Sequence, residues 1–124
     1  MKKVFFVLYV LMGLLFINGG LNKFFNYMPP PDDLPEPMVK DFMAIIEISW
    51  LMPLLGAAEI LGGLLIIIPK TRALGTLVLF PVVVGILLTH IFVEPTGLPI
   101  ALIIVALIGK LIYDYRAKYL QLLD

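Results

Sequence analysis

Five polar side chains stand inside or at the ends of long hydrocarbon runs: Asn18, Asn22, Lys23, Glu59 and His90. Carboxyl and imidazole groups can exchange protons with a ligand. Amide groups donate and accept hydrogen bonds. Asn18 and Asn22 are four residues apart and so share a helix face. Lys23 turns about 100° from Asn22, which aims it toward Glu47 or the lipid headgroups as an interface anchor. A charge near a bilayer centre costs about 2.5–3.5 kcal/mol, so such residues usually face a protein interior and find partners. Counting about 1.5 Å per residue places Glu59 roughly 14 Å deep, near the midplane. Asn18 comes at roughly 21 Å, and Asn22, Lys23 and His90 at roughly 25–28 Å. These levels predict an outward-opening polar pocket lined by Asn18, Asn22, Glu59 and His90, with Lys23 as a fifth candidate. Each residue also has a plainer reading. Glu59 suits a hydrogen-bonded brace, the asparagines suit interhelical glue, and His90 suits an interfacial ring.

The elements that must carry these residues follow from composition. Of 124 residues, 61% are hydrophobic and only 15% charged, and the mean hydropathy is +1.06. A soluble domain this small could not hide so much apolar surface, so most of the chain is expected to be solvated by lipid. The net charge is zero, which gives no footprint for nucleic acid. Absence of cysteine excludes disulfides, thiol relays and thiolate metal sites, and one histidine cannot build a multi-histidine metal site. No metal is therefore expected. One histidine without cysteine is also too little to ligate haem or an iron–sulfur cluster.

A crossing helix needs about 20 apolar residues. Four such runs are present: Val4 to about Phe25, a second ending at Ile68 and starting between Phe42 and Trp50, Ala73 to Val93, and Leu98 to about Tyr113. The expected fold is an all-α antiparallel bundle of four transmembrane helices in a single domain, residues 1–124, with spans near 4–25, 49–68, 73–93 and 98–113. The stretch MPPPDDLPEP at 28–37 cannot continue a helix, and 28–48 is expected to form an extracytoplasmic loop and an interfacial helix. The second run is too long for one straight crossing, which predicts a bend or kink around Pro53. The connections PKTR and EPTG are short, so their flanking helices must be antiparallel neighbours. Ala58 and Gly62 form a small-xxx-small pair, with Gly56 and Gly63 nearby, that would let helices approach closely. MKK and the apolar run after it fit the opening of a signal peptide, but no A-x-A site follows, so the segment is expected to be retained.

Lysine and arginine placement sets direction. Lys2, Lys3, Lys70, Arg72, Lys110, Arg116 and Lys118 fall on one side, and Lys23 and Lys40 on the other, with Asp32, Asp33, Glu36, Asp41 and Glu94. Both termini are expected to be cytoplasmic, in the inner membrane. Lys110 lies close enough to that surface to snorkel.

The stretches GLNKFFNYMP, LMPLLGAAEILGGLLII and FPVVVGILLTHIFVEP resemble the DoxX-like family of small four-helix membrane proteins. The most specific parts are G-L-N-K-F at 20–24 and E-I-L-G-G-L-L at 59–65. His90 falls where these proteins often carry a histidine late in the third span. The resemblance implies a four-helix bundle. The family takes its name from a subunit associated with thiosulfate:quinone oxidoreduction, and some related proteins look like redox-partner or assembly factors. Three functions then compete. The first is an accessory or small-ligand-binding subunit whose pocket takes a quinone, a lipid or a partner's helix, without autonomous catalysis. The second is a membrane component of a quinone-linked oxidoreductase, in which Glu59 and His90 exchange protons while a partner supplies electrons. The third is a small transporter acting as an oligomer, although no broken-helix pair with inverted symmetry is visible. Expected partners are the bilayer, a membrane protein or a second copy of the chain.

Overall fold

The computed structural model describes residues 2–28 and 34–123. Each apolar run is a helix: α1 (Lys2–Phe25), α3 (Leu51–Ile67), α4 (Arg72–Phe92) and α5 (Leu98–Asp114). Between the first two lies the amphipathic α2 (Glu36–Glu47), and a short α6 (Arg116–Leu120) follows α5. Among the described residues three helical stretches, Lys2–Phe25, Pro69–Phe92 and Pro95–Asp114, are long and apolar enough to cross a membrane, and a fourth is available if α2 and α3 count as one bent span.

Prolines punctuate the chain where their chemistry allows. Pro69 and Pro95 open the single 3₁₀ turns that lead into α4 and α5, and Pro35 caps α2. Of the proline-rich stretch, residues 29–33, including Asp32 and Asp33, lie outside the described residues. The bend expected around Pro53 falls a few residues before it. The chain turns by 96° between α2 and α3, at Ile48–Trp50, where Ile48 is extended. Pro53 is the third residue of α3, where a backbone N–H has no intrahelical acceptor, so losing it costs the helix nothing.

Glycines set the closest helix approach. A Cβ at Gly13 would stand 2.7 Å from the Gly63 carbonyl oxygen, and one at Gly20 would stand 2.5 Å from that of Gly56. As numbers rise along α1 they fall along α3, so the two helices run in opposite directions. The small residues facing α1 are thus Gly56 and Gly63, two turns apart, rather than the Ala58–Gly62 pair. Gly62 instead faces Leu79 of α4. The core gathers Tyr9, Met12 and Phe16 from α1, Ile66 from α3, Leu79 and Val83 from α4, and Ile104, Ile108 and Leu111 from α5. Leu14, Leu61, Leu77 and Ile103 point outward and are 42–59% exposed. So much apolar surface on every helix suits hydrocarbon rather than water.

Candidate functional site

Glu59 lies in the middle of α3 and is only 6% exposed. Its Oε1 accepts from Lys23 Nζ at 2.8 Å. The expected reach of Lys23 toward Glu47 is therefore replaced by an ion pair within the helical layer. Side chains tilt toward the N-terminus of their own helix. On antiparallel helices, Lys23 leans down α1 while Glu59 leans up α3, and the two meet although their Cα atoms differ in level by about 9 Å. Gly19, one turn below Lys23, makes room for the carboxylate: a Cβ there would stand 2.9 Å from Glu59 Oε2.

The pair opens onto a cavity of about 330 Å³ between α1, α2, α3 and α4. Met38 and Ile45 close it from α2, Leu55 and Glu59 from α3, and Pro81, Val82, Gly85, Ile86, Thr89 and His90 from α4. Pro81 removes one backbone N–H from the middle of α4, yet the helix continues through it. Eight residues on, the Thr89 hydroxyl donates back to the Gly85 carbonyl at 2.9 Å. Most of the lining is apolar, and the polar functions are the ion pair, the threonine and the imidazole.

His90 is fixed by the turn that follows α4. Its Nδ1 lies 2.9 Å from the Glu94 carbonyl oxygen. A carbonyl can only accept, so Nδ1 carries the proton, and in the neutral ring Nε2 is left as an acceptor. Gly97 lies directly against the ring. His90 and Met38 also line a second, outer cavity of about 470 Å³ with Pro35, Glu94, Thr96 and Gly97. The imidazole therefore stands between an outer vestibule and the inner cavity that holds the ion pair.

Glu94 organises this turn. Its Oε1 accepts from the Thr96 amide at 3.0 Å and from the Thr96 hydroxyl. Those bonds hold its carboxyl below the usual carboxylate range. A depressed pKa contributes order above the unfolded-state value, about 4.3, and that order is lost as pH falls through the folded-state value. Amide exchange at Thr96 is accordingly expected to stay slow at neutral pH and to accelerate beyond its intrinsic pH trend below about pH 4. A Glu94→Gln variant should not show that acid-dependent step.

Asn18 and Asn22 do not share the inner cavity with Glu59 and His90 as expected. The chain leaves α1 through Asn26, whose φ is 53°, and folds back on the helix. The Tyr27 hydroxyl donates to Asn18 Oδ1 at 2.5 Å, and the Met28 amide donates to Asn22 Oδ1 at 2.8 Å. Both asparagines thus hold the end of α1. Asn22 also lines a neighbouring depression with Lys23, Phe42 and Ser49. Sequence reasoning passed over Gly19, Met38 and Thr89. Of these, only Gly19, at the i−4 position from Lys23, leaves a readable signal.

The arrangement offers a partly buried ammonium donor, a carboxylate acceptor and an imidazole acceptor around a largely apolar space. Such a set can hold a polar head group and exchange protons with it. A family model described as DoxX matches residues 4–91. No curated protein and no solved structure matches the chain.

Proposed function

The chain belongs to the DoxX family, and from that premise we propose that it is an accessory membrane subunit that binds a small ligand beside the Lys23–Glu59 pair. In this reading α1, α3, α4 and α5 form a four-helix antiparallel bundle in a bacterial cytoplasmic membrane. Both termini face the cytoplasm, where Lys2, Lys3, Lys70, Arg72, Lys110, Arg116 and Lys118 would lie. The observation that carries the proposal is the juxtaposition of Lys23, Glu59 and His90 around one apolar cavity. A buried ion pair is weak evidence of stability by itself, whereas ionisable groups held at membrane depth lean toward function.

The ligand class that fits is a quinone. Its ring suits the apolar walls, and its carbonyl oxygens would accept from the lysine ammonium. Reduction of a quinone takes up protons as well as electrons, and in this reading Glu59 and His90 would pass protons from the outer vestibule. Electrons would come from a partner, because the chain has no cysteine and one histidine. This assigns binding and proton handling to the chain and redox chemistry to the partner.

Thermal unfolding of the purified protein with a short-chain quinone tests the reading. At a ligand concentration near a hundred times its dissociation constant, the midpoint is expected to rise by about 5–10 °C. The rise should vanish in Glu59→Gln, compared at that variant's own baseline. A wild-type midpoint indifferent to quinone would remove this ligand from consideration.

A further inference from the structure

At the far end of α4 from His90, three cations on three helices converge on another cavity. Lys2 opens α1, Arg72 opens α4 and Lys110 stands near the end of α5, and with Tyr9 and Asp114 they line a space of about 480 Å³. Arg72 is 6% exposed. Its Nε donates to the Ile66 carbonyl at 2.7 Å and its Nη2 to that of Ile67 at 3.3 Å, which caps the end of α3. The guanidinium also lies 5.1 Å from the centre of the Tyr9 ring. Lys110 Nζ pairs with Asp114 Oδ2 at 2.6 Å and sits 4.3 Å from the centre of the Phe5 ring. Among the described residues one carboxylate faces three cations, which leaves this lining positive.

Two further observations point to a ligand. The Tyr9 hydroxyl is buried, with Lys110 as a neighbouring donor and no hydrogen-bond acceptor among the described residues, an arrangement proteins seldom tolerate. Phe6, also in the lining, is 48% exposed, so the cavity opens sideways past an aromatic ring toward the lipid-facing surface. Basic pockets between membrane-spanning helices suit anionic head groups, and Arg and Lys form charge-assisted hydrogen bonds with phosphate oxygens.

We propose that this cavity binds the phosphate group of an anionic phospholipid between Lys2, Arg72 and Lys110. A phosphate oxygen would give the Tyr9 hydroxyl the acceptor it lacks, and the acyl chains would leave past Phe6. The site is separate from the Lys23–Glu59 cavity and does not depend on what that cavity holds.

The test places the full chain in nanodiscs of phosphatidylcholine, with or without phosphatidylglycerol, and counts retained lipid by native mass spectrometry. Phosphatidylglycerol should be retained in preference to phosphatidylcholine. The preference should fall about tenfold in Lys2→Gln/Lys110→Gln and weaken in Tyr9→Phe. Lys110→Arg should keep it, and that variant separates lost charge from lost folding. Equal retention of the two lipids, or an unchanged preference in both disabling variants, overturns the proposal. Inorganic phosphate is the competing probe. If it abolishes the preference, the phosphate group alone is recognised, from lipid or solution; if it does not, the intact lipid is the ligand.

Discussion

Lys23→Met is expected to destabilise the purified protein by about 3 kcal/mol, the low end for removing one partner of a buried ion pair, because Lys23 is itself only partly buried. The loss arises mainly from what remains. Glu59 stays 6% exposed, its carboxylate remains packed against the backbone of α1 at Gly19, and the remaining cavity walls are mostly apolar. With the ammonium gone, the carboxyl must take a proton, draw in water or pull the helices apart. The double variant Lys23→Met/Glu59→Met is expected to regain most of the loss, because a well-packed apolar pair avoids the desolvation cost altogether. Denaturant unfolding of the two variants in detergent micelles checks this. A single variant as stable as the parent protein would mean that the ion pair is absent in solution.

Gly63→Leu should be comparably damaging, at about 3 kcal/mol or more, the upper end for overpacking. A Cβ at this position would stand 2.5 Å from the Gly13 carbonyl oxygen and 2.9 Å from Ile17 Cγ1. The first obstacle is helix backbone, which cannot rotate out of the way, so α1 and α3 would have to separate along their length. Separation would also pull Lys23 from Glu59, since the same two helices carry them. Gly109 on α5 is the control. A Cβ there would have nothing within 4 Å among the described residues, and Gly109→Ala, in the interior of a helix, should leave stability unchanged or raise it by up to about 1 kcal/mol. The same unfolding assay compares the two, and equal stability would mean that α1 and α3 do not pack closely.

The helices were legible because their signal is long. Apolar runs of about twenty residues set apart by proline leave little freedom in placing them. Less legible were features that depend on where a side chain goes after it leaves the backbone. Counting residues ranked Lys23 and Glu59 at different depths, and only the opposite tilts of two antiparallel helices bring them together. Asn18 and Asn22 looked like pocket residues because they share a helix face. Their use in holding Tyr27 and Met28 depends on the left-handed conformation of Asn26, which reverses the chain. Pro53 looked like the site of the bend, but a proline in the first turn of a helix is compatible with a straight start. The lysines and arginine at the other end were readable as a sign of direction, whereas their convergence on Tyr9 needed the folded helices.

The right-angle corner between α2 and α3 also bears on the bilayer itself. It leaves α3 with 17 residues, about 25 Å of helix, against a hydrocarbon thickness of roughly 30 Å. α5 and the turn before it give a stretch of 20 residues, Pro95–Asp114, and α1 has 24. Wherever α3 crosses, lipid around it must thin or the longer helices must tilt, and either response costs a fraction of a kcal/mol per ångström of mismatch. The protein should therefore partition into thin, fluid patches of membrane and avoid thick ones.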